Sequence, residues 1–329
     1  MMKSASPDNR VAWIDGSRAA AMLFIVGFHV LFLLTSRMPA SRYLLGTVTD
    51  SGTVIFTLLA GVLMRHNLDR FSYPVFIRKK LSFVFAPYVI ASLALLVLHA
   101  MKHGGGLTVG EVLTALLWGT ASVPFWFIPM IMVFFILSPA WVWIDRRGLY
   151  YLCAPLAVVP FVVGRGHHFE LWRNILFFFP FFLAGMALSR YWPRVHGWLA
   201  AHRWRLLILL PAIPVAASFA HDCEPLQTAS KTAATLFVVT MFGCFDIARG
   251  RALGLTAAAS MSIYLYHNSV IGIFAPLVSK LPALPEPVVL LLWAAATLAI
   301  TAVLTVAFET AHRVLTRLGM KNTRWLLGR

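Results

Sequence analysis

Residues 17–34 read SRAAAMLFIVGFHVLFLL, an apolar run close to the roughly 20 residues of helix that cross the hydrocarbon core of a bilayer. One titratable ring, His29, falls inside it. Similar blocks recur along the 329-residue chain, which is 60% hydrophobic and only 12% charged. They lie near 19–36, 47–64, 81–100, 125–144, 150–164, 172–189, 206–220, 231–248, 256–278 and 287–310. The pattern predicts an all-α polytopic membrane protein with about ten transmembrane helices. No repeat of 20 to 50 residues and no long polar linker divides it, so 1–329 reads as a single integral-membrane domain.

An eleventh apolar piece, TVGEVLTALLWGT at 108–120, is short for a span and fits a re-entrant or interfacial helix. Charge supports leaving it out of the spans. With ten spans and both termini cytoplasmic, 21 of the 28 Lys and Arg residues fall on the cytoplasmic side, as the positive-inside rule requires. Counting 108–120 as a span would invert everything after it and put Asp145, Arg146 and Arg147 outside. The net charge of +16 belongs to basic loops such as RYWPRVHGWLAAHRWR at 190–205, which face membrane lipids; each basic residue there contributes about 1 kcal/mol. Nucleic acid is not an expected partner. The first block follows Lys3 and Arg10 as in a signal peptide, but TSRMPASR after it offers no small-x-small cleavage site. It reads as a retained first helix. Cys153, Cys223 and Cys244 suggest no disulfide framework.

Polar side chains inside spans are costly in lipid and point to function or pairing. Arg18 lies 11 residues before His29, which is three turns and about 20° out of line, so both occupy one face with Arg18 roughly 16 Å nearer the cytoplasm. Asp15 is close to that face, where it reads as a partner that positions Arg18. In the ninth span, ASMSIYLYHNSV puts Ser260, Tyr264 and His267 on one face by their i, i+4, i+7 spacing. Two histidines at similar depth on two helices suggest a polar cavity between them. FIRKKLSFVFAPYVI at 76–90 gathers Arg78, Lys79 and Lys80 at the inner end of the third span, with Arg65 and Arg70 nearby. Such a cluster is either a topology signal or a holder of phosphates. The GGG at 104–106 lacks a following GK[ST], which argues against ATP hydrolysis.

Taken in order, these segments resemble the integral-membrane acyltransferase-3 family over most of the chain. WIDGSRAAAMLFIVGFHV resembles its opening through Asp15, Gly16, Arg18 and His29. FIRKKLSFVFAPY is similar to its basic segment through Phe76, Arg78, Lys79, Lys80, Pro87 and Tyr88. FWFIPMIMVFFILSP resembles a span carrying Trp126, Phe127 and Pro139, where Trp126 reads as structural support. FFFPFFLAGM, SMSIYLYH and FETAHR resemble the later signatures. Ala60 stands before Gly61 where the family commonly has serine, and Phe83 stands where a further arginine is common.

The resemblance implies transfer of an acetyl or other short acyl group from acetyl-CoA to a hydroxyl of a carbohydrate or lipid-linked glycan, in a bacterial cytoplasmic membrane and without a metal. His29 is then the catalytic residue, either activating the hydroxyl or carrying the acyl group, because imidazole alone in its stripe exchanges a proton near neutral pH. Arg18, Arg78, Lys79 and Lys80 would bind acyl-CoA. Tyr264 and His267 would orient the acceptor or stabilise the oxyanion, while Asp15, Trp126, Ser260 and Glu309 would support the site. Glu309 is spaced to pair with Arg313 at i+4. Two other classes compete. A secondary transporter would have a similar number of spans, but neither broken helices nor matching halves are visible. A metalloenzyme would need His167, His168 and Glu170, which match no HExxH spacing.

Overall fold

The computed structural model describes residues 7–34, 37–38, 41–167, 170–245, 247, 250–282, 284–320 and 323. Sixteen α-helices and no strand occur among them. In chain order they are α1 Pro7–Leu34, α2 Arg42–Thr49, α3 Gly52–His66, α4 Tyr73–Lys80, α5 Ala86–His103, α6 Val109–Trp118, α7 Phe127–Ile136 and α8 Ser138–Arg147. They continue as α9 Val159–Val163, α10 Leu171–Arg190, α11 Trp192–Leu209, α12 Ala212–Phe219, α13 Glu224–Cys244, α14 Arg251–Ala258, α15 Ser260–Ser279 and α16 Glu286–Arg317. An all-helical chain is what lipid demands, since every backbone donor must find its acceptor within the segment.

Seven segments are long and apolar enough to cross a membrane, and two bent helix pairs raise the number to nine among the described residues. The difference from about ten has local causes. Pro155 and Pro160 lack the N–H an α-helix needs, so the block at 150–164 becomes a 3-10 stretch, Leu149–Val158, followed by the five residues of α9. It folds back on α8 at 120°. The block at 125–144 breaks at Leu137, just before Pro139. The block at 231–248 lies in α13, whose 21 residues include Gln227, buried Lys231 and several threonines, and it is not among the seven. The 108–120 piece forms α6, closed at its start by a Thr108–Glu111 capping box. It ends at Gly119, whose φ of +71° turns the chain. The pair formed with 123–136 is bent by 69°, as in a broken span or re-entrant loop.

Two features fix the core. Rings of Tyr88, Phe125, Phe134, Phe177, Phe178 and Phe182 fill its centre, while Trp13 stacks on Trp192 at 4.4 Å. The closest crossing is that of α3 and α10. A Cβ on Gly61 would stand 2.0 Å from the Phe182 carbonyl oxygen, and one on Gly185 1.9 Å from that of Leu58. Small residues let helix backbones touch in lipid, where burial of apolar surface gives no driving force. Gly185→Val is therefore expected to lower the thermal midpoint of the detergent-solubilised protein or prevent its recovery. Gly110→Val, which meets open space, should shift the midpoint little when measured in the same detergent. α1 packs against α3, α13, α14, α15 and α16, and this enclosure places its polar stripe.

Candidate active site

α1 carries its stripe between two cavities. The first, of 390 Å³, is lined by His29, Asp50, Trp126, Arg165, Lys231 and Tyr264 among others. The second, of 340 Å³, is lined by Arg18, Lys80, Ser260 and Tyr264 together with apolar residues. Ile25 and Tyr264 line both, so the partition between the cavities is thin.

Within the second cavity, the Arg18 guanidinium donates to Ser260 Oγ at 2.7 Å and lies 3.8 Å from the Asp15 carboxylate. Asp15 and Ser260 thus both lie against the Arg18 guanidinium. Lys80 spreads its ammonium over Phe135 at 4.2 Å and Phe76 at 5.3 Å. Its neighbours Arg78 and Lys79 are exposed and line neither cavity. Consecutive residues of a helix point about 100° apart, so the RKK triplet cannot act as one patch. Immediately after Lys80 the helix widens into a π-helical turn, Leu81–Phe85, a distortion frequent at functional sites.

Facing the first cavity, His29 is half-buried, and its ring centroid lies 5.0 Å from that of His267. His267 is fully buried. Its Nδ1 is 3.0 Å from the Ile263 carbonyl oxygen and 2.8 Å from that of Tyr264. Carbonyls only accept, so the hydrogen-bond network assigns the proton to Nδ1 and leaves Nε2 an acceptor. That Nε2 has no partner among the described residues. The pair expected from the sequence is thus present, with His29 opening to the cavity and His267 behind it. Tyr264 donates its hydroxyl to the Pro124 carbonyl, which leaves its oxygen only as an acceptor. Trp126 presents its ring to the cavity wall. At the far end of α16, Glu309 accepts from Arg313 at 2.9 Å, the pairing that its spacing predicts.

Three charged residues were missed by reading the sequence. Asp50, at the C-cap of α2, is bracketed by Arg165 and by Lys231, whose Nζ is 3.1 Å from Oδ2. Arg165 comes from the loop between α9 and α10. That loop is fixed from the first turn of α10, where Arg173 donates to the Val163 carbonyl at 2.9 Å and Asn174 to that of His167 at 2.9 Å. The Arg165 guanidinium also lies over Trp126 at 5.3 Å and Phe178 at 5.9 Å. Burial pushes it down only to about 10, so it remains a cation at neutral pH. Lys231 alone left a readable trace, as a charge at the edge of a predicted span. No group of three His, Cys, Asp or Glu side chains placed to hold a metal ion occurs among the described residues. His168 lies outside those residues, while the His167 backbone N–H donates to Glu170.

The fold is thus a polytopic α-helical one that sets a half-buried imidazole on the wall of a charged cavity. Residues 11–308 match the family model Acyl_transf_3, described as an acyltransferase domain. The chain belongs to this acyltransferase-3 family, and it is an integral-membrane acyltransferase. Comparison with curated proteins and with solved structures returned no match.

Proposed function

We propose that the protein moves an acetyl group from acetyl-CoA to a hydroxyl of a carbohydrate or lipid-linked glycan, in a bacterial cytoplasmic membrane with the Arg18 end of α1 on the cytoplasmic side. The observation that carries this reading is the division of one helix face between two cavities, with Arg18 and Lys80 lining one, His29 lining the other and only a thin partition between. Phosphates of the donor would be held by Arg18 and Lys80 through charge-assisted hydrogen bonds. Exposed Arg78 and Lys79 would raise the local concentration of an anionic donor. The thioester arm would reach the partition, and the acceptor would enter the cavity of His29. There His29 takes the proton of the acceptor hydroxyl as its oxygen attacks the thioester carbon. When the C–S bond breaks, the leaving CoA sulfur receives that proton. Tyr264 and His267 would orient the acceptor and the His29 ring.

Purified protein in vesicles, supplied with radiolabelled acetyl-CoA and a glycan acceptor, should release free CoA in proportion to labelled glycan. Solute uptake without CoA release would replace this reading with a transporter. Arg18→Gln and Lys80→Gln are each expected to raise the KM for acetyl-CoA about tenfold or more, because a hydrogen bond to a charged group contributes about 1.5–3 kcal/mol. The KM for the acceptor should stay near that of wild type.

A further inference from the structure

We propose that Arg165 is the oxyanion donor of the acyl transfer, a catalytic residue supplied by the loop between α9 and α10. The inference rests on the donor and acceptor reading given above.

Acyl transfer needs two things at one carbon. A base must take the proton of the nucleophile, and a donor must meet the negative charge that forms on the thioester oxygen. His29 meets the first need in a cavity whose wall holds two cations, Arg165 and Lys231. Lys231 is committed: its side chain is 6% exposed and its ammonium rests 3.1 Å from Asp50. Arg165 is differently placed. A guanidinium carries five N–H groups in one plane. Asp50 engages it through Nη1, Trp126 and Phe178 lie along its face, and no other acceptor is bonded to it among the described residues. Its side chain keeps 20% exposure on the wall of the cavity, so N–H groups are left for an incoming oxygen.

The surrounding charges favour the role. Asp50 is shared by Arg165 and Lys231, so its carboxylate does not belong to Arg165 alone; Glu224, which is exposed, lines the same cavity. A cation already pinned by a carboxylate, two rings and a braced loop does not have to reorganise when charge develops, which is the basis of oxyanion stabilisation. Arg18 and Lys80 line the other cavity and do not compete for this part. In the step itself, the acceptor oxygen bonds to the thioester carbon while its proton passes to His29. The carbonyl π pair moves onto oxygen and is held by Arg165. The pair then returns, the C–S bond breaks, and the thiolate takes the proton from His29.

The test uses purified full-length protein with acetyl-CoA and glycan acceptor. Wild type must first transfer label; if it does not, the donor and acceptor reading fails before Arg165 is in question. With transfer established, Arg165→Gln is expected to lower kcat about 100- to 1,000-fold with both KM values within about threefold of wild type. Arg165→Lys, which keeps the charge and the pair with Asp50, should recover part of kcat. Arg165→Ala should regain about tenfold in kcat on addition of methylguanidinium, a response that a merely structural role would not give. If Arg165→Gln does not fold, the Arg165→Lys and methylguanidinium measurements carry the test. A kcat within threefold of wild type, a loss confined to the acceptor KM, or an absence of rescue in folded Arg165→Ala would overturn the proposal.

Discussion

His29→Ala is expected to cut acyl transfer by about 100- to 10,000-fold, the usual contribution of a positioned general base, while leaving acetyl-CoA binding near that of wild type. The prediction follows from how little else in the cavity can take its place. His267 has a lone pair on Nε2, but it is fully buried and does not line the cavity. Asp50 is bracketed by Arg165 and Lys231, and Lys231 is held in the same pair. Tyr264 has committed its proton to Pro124. Truncating His29 removes a half-buried side chain from a cavity wall rather than from the packed core, so folding should survive, as a thermal midpoint in detergent would show. The decisive comparison is acetyl release by base from surface glycan of cells expressing each form, together with donor binding to purified protein. Equal acetylation by wild type and His29→Ala would sink the assignment of the base. Loss of donor binding in His29→Ala would instead place the histidine with the donor.

What could be read from the sequence was what one helix decides by itself. The face shared by Arg18 and His29, the turn-by-turn stacking of Ser260, Tyr264 and His267, and the Glu309–Arg313 pair all follow from 3.6 residues per turn. The same geometry would have divided the RKK triplet, of which only Lys80 lines a cavity. Apart from the meeting of His29 and His267, which their similar depth suggested, contacts between distant segments were not legible. Asp50, Arg165 and Lys231 belong to three separate parts of the chain, and nothing local to any of them names the other two. Gly61 and Gly185 sit in recognisable segments, but their reciprocal backbone contact exists only once α3 crosses α10. The breaks at Pro139, Pro155 and Pro160 were not legible as such, because hydropathy registers a proline far less than the hydrogen-bond ladder does.

Away from the cavities, the largest expected effect on stability is that of Asp145→Ala. Asp145 lies in the last turn of α8, where a carboxylate faces the negative end of the helix dipole. It is nonetheless 3% exposed, and three groups from other segments make this tolerable. Arg65, from the last turn of α3, approaches Oδ1 at 2.7 Å. Arg190, from the last turn of α10, lies 3.2 Å from the same oxygen and donates to the Asp145 carbonyl at 2.7 Å. Tyr150 donates its hydroxyl at 2.9 Å. One carboxylate thus ties together the ends of three helices and the 3-10 stretch after α8, at the same end of α1 as Arg18. Removing one member of a buried pair costs about 3–5 kcal/mol, and the lower figure is expected here because both guanidiniums keep contact with solvent. Asp145→Asn retains acceptors for the arginines without the charge and should fall between wild type and Asp145→Ala. Arg65→Ala leaves Arg190 and Tyr150 in place, so it should destabilise less than Asp145→Ala does. Thermal midpoints of the four proteins in one detergent would give that order, and an Asp145→Ala midpoint equal to wild type would show that the helix ends are held by packing alone.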